Sequence, residues 1–172
     1  MLRSQIDPMP AYFDRYILMN DDIDVMDAIR LSIEEMNQFP IEQWKALGDR
    51  VYAPGKWTVR DILQHIIDTE RIFSYRAVAA ARGEKHAFPS FDEDAYAAAA
   101  AANNRSLEDL LAEMRISRQS FLALYESFTP EMLQRTCMGF KGEYSVLSIG
   151  FIIAGHQRWH ARILEERYMP LV

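Results

Sequence analysis

The chain has one cysteine, Cys137, among 172 residues, so no internal disulfide framework exists and a reducing, cytoplasmic setting is expected. No apolar run reaches the roughly 18 residues of a membrane span, and Arg3 near the amino terminus is not followed by an apolar signal core. Basic residues are too few and too scattered for a phosphate-binding surface: 19 Lys and Arg stand against 25 Asp and Glu, a net charge of −6, which argues against nucleic acid as a partner. Glycine and proline are scarce at seven each, which with 49% hydrophobic residues excludes disorder as the main theme. Strand signals are almost absent. What is left is one domain, residues 1–172, able to bury a substantial core.

Four segments carry the 3.6-residue apolar period. The first runs from about Asp21 to Asn37, with Ile23, Met26, Ile29, Ile33 and Met36 on one face. The second opens at Thr58, a cap with Asp61 three residues on, and runs to about Arg82 before Gly83. The third starts at Ser106, with Glu108 and Asp109 in its first turn, and stops before Thr129-Pro130; the fourth is capped by Ser145 and ends before Pro170. These predict an all-α four-helix bundle. Gly55-Lys56-Trp57-Thr58-Val59 is echoed by Gly142-Glu143-Tyr144-Ser145-Val146, mild support for duplicated helical hairpins.

The link from Gly83 to Arg105 exceeds the two to eight residues that commonly join antiparallel bundle helices, and within it Ala95–Ala102 is helix-prone. A crossover of that length lets helices two and three run parallel and makes helices two and four antiparallel.

The chemistry lies on the last helix. Val146, Ile149, Ile153, His156, His160 and Ile163 follow alternating steps of three and four, the stripe a bundle helix buries, so two imidazoles replace two core aliphatics. Side chains at i and i+4 share a face and reach one divalent ion, yet core histidines also bond to carboxylates or carbonyls, and the pair alone fits either reading. Gln157 stands where a zincin would carry its general-base Glu, so a metalloprotease is not indicated. With helix four inverted, His160 lies about 12 Å from the end that faces the start of helix two, and His65 lies about 10 Å from that start, so three histidines come to one height.

Other polar residues have plainer readings. Trp57 is expected as a hydrophobic staple before a substrate contact, Glu70 as the partner of an arginine on another helix before a neighbour of the metal pocket, and Asp61 and Asp68 as residues placed to orient His65, with capping the competing role of Asp61. Gln157 and Trp159 are expected at surface or interhelix contacts, His86 exposed in the link, and Tyr12, Phe13, Tyr16 and Ile17 as a cluster covering one end of the bundle or meeting a second subunit.

Lys56-Trp57-Thr58-Val59-Arg60-Asp61-Ile62-Leu63-Gln64-His65 with Asp68 and Glu70, Phe91-Asp92-Glu93, Ser106-Leu107-Glu108-Asp109-Leu110, and Tyr144-Ser145-Val146 leading to His156 and His160 together resemble the DinB-like superfamily, particularly its YfiT-type members. The resemblance covers most of the chain. It implies a four-helix bundle with a crossover, a metal triad of His65, His156 and His160, and commonly a homodimer. It implies an enzyme that uses a divalent ion, zinc or nickel, with a low-molecular-weight thiol as an S-transferase acting on small electrophiles. Metal-dependent hydrolysis is the nearest chemical alternative, and a non-catalytic metal-binding or stress-response bundle the alternative of another class.

Overall fold

The computed structural model describes residues 1–139 and 141–172. In chain order the elements are α1 (Asp14–Ile17), α2 (Val25–Glu35), α3 (Ile41–Leu47), α4 (Val59–Ala81), α5 (Glu93–Ala100), α6 (Leu107–Glu126), α7 (Pro130–Gln134), the strands β1 (Thr136–Gly139) and β2 (Gly142–Ser145), and α8 (Val146–Ile163). The bundle is built from α2, α4, α6 and α8.

Side-chain caps set where these four helices begin. Asp24 accepts from the Met26 amide, Ser106 from that of Asp109 and Ser145 from that of Ser148. Thr58 and Asp61 form a reciprocal capping box. Each cap satisfies a backbone donor that has no partner within the helix. The first helix is shorter than its apolar period predicts because Asp24, not Asp21, is the residue that caps it.

Contacts between the helices fix their directions. Along α4 and α6, Gln64 meets Arg105 near the two starts, and Glu70 meets Arg118 further on, so the pair is parallel. α8 opposes α4: Tyr144, just before α8, stacks on Phe73, while Tyr168 beyond its end donates to the Trp57 carbonyl at 2.5 Å. α2 runs with α8, since Val25 lies against Gly150 and Arg158 pairs with Glu35 at 2.9 Å. The long link carries α5 back along α4, as the crossover requires. α5 begins at Glu93, two residues before the alanine run, because Asp92 caps it by accepting from Ala95 N.

The buried interior is layered. One apolar cluster holds Val25 and Ile29 of α2, Phe73 of α4, Phe121 of α6 and Ile149 of α8; a second holds Met36, Ile62, Leu63, Ile66, Leu110, Met114 and Leu164. Between them every bundle helix contributes buried polar groups: Ser32, then His65, Thr69 and Glu70, then Arg118, then His156 and Gln157. Polar groups at this depth must find partners or leave desolvation uncompensated. The layer therefore marks where the fold accommodates something other than apolar packing.

Three short helices and a hairpin escape the periodicity reading. α1, α3 and α7 have four to seven residues, too few for a 3.6-residue period to register. The hairpin pairs Cys137 with Tyr144 over four-residue strands, and Gly142 adopts a positive φ of 110° as the first residue of β2. Gly142 and Gly55, at φ 74°, open the two echoed segments, in which Ser145 and Thr58 are the helix caps.

Candidate metal centre

His65 projects from α4 two turns after its capping box, and His156 and His160 project from α8 one turn apart. The His156 Nε2 lies 3.2 Å from that of His65 and 3.0 Å from that of His160. The ligand atoms of all three rings lie within 4.8 Å of one another. The rings meet edge to face, with centroids 4.5 to 5.0 Å apart. Zinc–nitrogen bonds are about 2.0–2.1 Å, so two nitrogens on one ion stand no more than about 4.2 Å apart. Both short separations fall inside that limit.

The protonation chemistry fits an ion as well. Burial lowers His65 to about 4, against a smaller opposing effect of Asp94, and lowers His160 to about 3, with His65 adding to it. His156, at the centre, is pushed well below the ordinary value by burial and then by His160, His65 and Arg118. Neutral imidazole is the form that binds metal. A neutral ring nitrogen is either donor or acceptor, so the His156 Nε2 satisfies two neighbouring nitrogens only through one shared proton or one shared lone pair. A cation resolves this by accepting a lone pair from each ring.

The pocket around the triad draws on several elements. The Trp57 ring lies 4.7 Å from that of His65, and its Nε1 donates to Asp94 Oδ1 at 3.0 Å, tying the start of α4 to α5. Tyr16 of α1 packs edge-on to His156 at 5.1 Å. This approach requires glycine at position 155, because a Cβ there would stand 1.8 Å from the Tyr16 carbonyl oxygen. On the open side, a cavity of about 310 Å³ is lined by Tyr52, Lys56, Trp57, Glu93, Asp94 and His160, among others. The His160 side of the triad thus borders a cavity large enough for a small molecule.

The remaining candidates separate into those that reach this site and those that do not. Glu70 pairs with Arg118 Nε at 3.0 Å, as expected, and lies in the polar layer beside the triad. Asp61 is held by Thr58 and Asn103, and Asp68 accepts from Gln64 at 2.9 Å, so neither orients His65. Helical spacing brought these two carboxylates near in sequence, and stronger local donors claimed them. Gln157 donates to the Ser32 carbonyl at 2.8 Å and Trp159 packs on Tyr16, both interhelix contacts. His86 is exposed and pairs with Glu84 at 2.8 Å. Cys137 is buried, and burial pushes its thiol up to about 11. Trp57 packs against the core as a staple does, yet it also covers His65. Its place at the site, like that of Tyr16 and Asp94, follows from chain segments that meet only in three dimensions.

The depressed histidines make an acid-sensitivity prediction for the metal-free protein. Folded His65 and His160 take protons only near pH 4 and 3, whereas unfolded histidine takes them near 6.5. The unfolded state therefore binds more protons between these limits, and stability falls as pH drops from about 6.5 towards 4. Glu70, raised by burial, carries the opposite sign. Urea unfolding at pH 7 and pH 5 should show the loss, and His160→Asn should shrink it while leaving the Glu70 contribution in place. An equal loss in both proteins would contradict the assignment.

A YfiT structure from Bacillus subtilis, described as a probable metal-dependent hydrolase with an unusual four-helix bundle topology, has a TM-score of 0.70 to this chain at 17% identity. The match covers 95% of this chain and 89% of that one, so the arrangement of helices is shared. No curated protein matches the chain. The sequence model of the DinB superfamily matches residues 31–164, a span that holds all four bundle helices' buried polar residues and the three converging histidines. On that match the chain belongs to the DinB superfamily.

Proposed function

We propose that this protein is a metal-dependent enzyme in which His65, His156 and His160 hold a divalent ion, zinc or nickel, and in which a low-molecular-weight thiol is transferred to a small electrophile. The observation that carries the reading is the convergence of three imidazole nitrogens beside an accessible cavity. Three protein ligands leave a position for an exchangeable ligand, the pattern of catalytic and not of closed structural sites. When bound, the ion supplies Lewis acidity that favours the thiolate form of a coordinated thiol at neutral pH.

The chain's own groups support a nucleophile brought from outside. Cys137 is buried at the hairpin with its thiol held protonated, so it does not serve as one. The three neutral imidazoles would hold the ion, while Trp57 and the Tyr52 and Tyr168 rings bound the cavity beside His160. In the transfer, sulfur forms a bond to the electrophilic carbon, the leaving group departs with its bonding pair, and the thiol proton passes to solvent. Hydrolysis is the second reading. It is favoured by the two carboxylates Glu93 and Asp94 on the cavity wall, either of which is a candidate base for an attacking water, and by the description of the YfiT structure.

Zinc- and nickel-loaded protein, incubated with a chloro-dinitrobenzene electrophile or a nitrophenyl ester and either cysteine, glutathione or no thiol, distinguishes the readings. Thiol-dependent thioether formation that is lost in His65→Ala supports transfer. Ester cleavage without thiol, lost in the same variant, supports hydrolysis. A folded, metal-loaded protein inactive in both assays would leave the ion a binding or structural role.

A further inference from the structure

A second cavity, of about 370 Å³, lies beside the first and shares Glu93 and Asp94 with it as a common wall. Its lining includes the rings of Tyr12, Phe13 and Phe73 together with Arg76 of α4. Arg76 is 5% exposed. Its Nη1 donates to the Tyr144 hydroxyl at 3.2 Å and its Nη2 to the Pro89 carbonyl at 2.7 Å, and the guanidinium carbon stands 4.7 Å from the Phe73 ring centroid.

Both of these hydrogen bonds, among the described residues, end on neutral oxygens. Arg118, the other buried arginine, has Glu70 as counter-charge. A guanidinium carries five N–H donors and a full charge, so neutral acceptors for two of them leave a buried cation short of an anion. Among the described residues, none of the acids at the rim forms an ion pair with Arg76. Asp92 caps α5 through Ala95, Asp94 accepts from Trp57, and Glu93 is pushed up by burial and by its two acidic neighbours.

We propose that this cavity binds a small carboxylate-bearing molecule with an apolar or aromatic body, the carboxylate on Arg76 and the body against Phe13 and Phe73. The planar fork of arginine matches a carboxylate, and the flanking rings exclude water from the pair. As the seat of a co-substrate whose reacting end extends past Glu93 towards the triad, the assignment rests on the metal-dependent reading above. As a carboxylate site it stands on Arg76 and the cavity alone.

The test compares hydrocinnamate with its neutral amide, hydrocinnamamide, by residue-resolved NMR titration of the full chain, metal-loaded and chelator-treated. The acid is expected to bind about tenfold or more tightly than the amide, the worth of a charge-assisted hydrogen bond. Shifts should centre on Phe73, Arg76 and Tyr144, and they should persist after chelation. Arg76→Gln should bring the acid-to-amide ratio near one, and Arg76→Lys should keep part of the preference. Equal binding of the two probes, or binding of neither, overturns the proposal. So do shifts confined to the His160 side that vanish on chelation, which would place the carboxylate on the metal. If Arg76→Gln does not fold, the wild-type ratio and shift map decide. Persistence after chelation separates this site from the metal reading, because a protein that takes up no metal at all would still show it.

Discussion

His156→Ala protein is expected to purify without a divalent ion, where wild-type protein is expected to carry about one per chain, and to show no turnover in either activity assay. His156 is the central member of the triad, within 3.2 Å of both other ligand nitrogens, so its removal breaks both contacts at once. Removing a residue that merely orients a ligand weakens metal binding by roughly 10- to 100-fold, and deletion of a ligand should exceed that. Elemental analysis of untagged protein gives the stoichiometry. Thermal melts give an independent reading: zinc or nickel should raise the melting temperature of wild-type protein, since a ligand selective for the native state stabilises by mass action, and should leave the variant unmoved. The variant itself should fold, because losing a buried imidazole also removes a group disfavoured in its charged form. Wild-type protein that stays metal-free after reconstitution would remove the catalytic reading.

Arg118→Ala should be the most destabilising single substitution in the polar layer, by about 3–5 kcal/mol, out of the roughly 5–15 kcal/mol that holds such a domain folded. Arg118 and Glu70 are both 0% exposed, and Arg118 Nε lies 3.0 Å from Glu70 Oε1. Arg118 also donates to the Ser32 hydroxyl, which in turn donates to the Ile29 carbonyl, so one guanidinium links α6 to α4 and α2. Without it, Glu70 keeps a carboxylate in a dry interior with no counter-charge, and burial already drives that group towards its neutral form. Glu70 Oε2 and Arg118 Nη2 have no partner among the described residues, so even the intact pair is incompletely satisfied. The double substitution Glu70→Leu with Arg118→Met should therefore recover most of the stability lost in the single variant, because a well-packed apolar pair avoids the desolvation cost. Urea unfolding of the three proteins decides it. A small effect of Arg118→Ala would mean that water reaches the pair.

Much of the bundle was legible because local physical chemistry writes it. The Thr58–Asp61 capping box, the Ser106 and Ser145 caps and the apolar stripe of α8 each act over one or two helical turns, and each stands where its residues predicted. The length of the Gly83–Arg105 link implied the crossover, and with it the inversion that brings His65 level with His156 and His160. Those determinations need only periodicity, capping and the rise of a helix.

What the tertiary structure alone decided is where competing partners lie. Asp61 had suitable spacing to serve His65, but Asn103, 42 residues further along the chain, donates to it. Tyr16, Trp57 and Asp94 come from three distant segments, and no periodicity joins them at one ring of histidines. Arg76 reads in sequence as one more polar residue on α4; that its guanidinium is buried at a cavity with only neutral acceptors depends on where Pro89 and Tyr144 are placed. Caps and stripes are properties of neighbours along the chain, whereas a pocket is a property of neighbours across it, and only folding determines those.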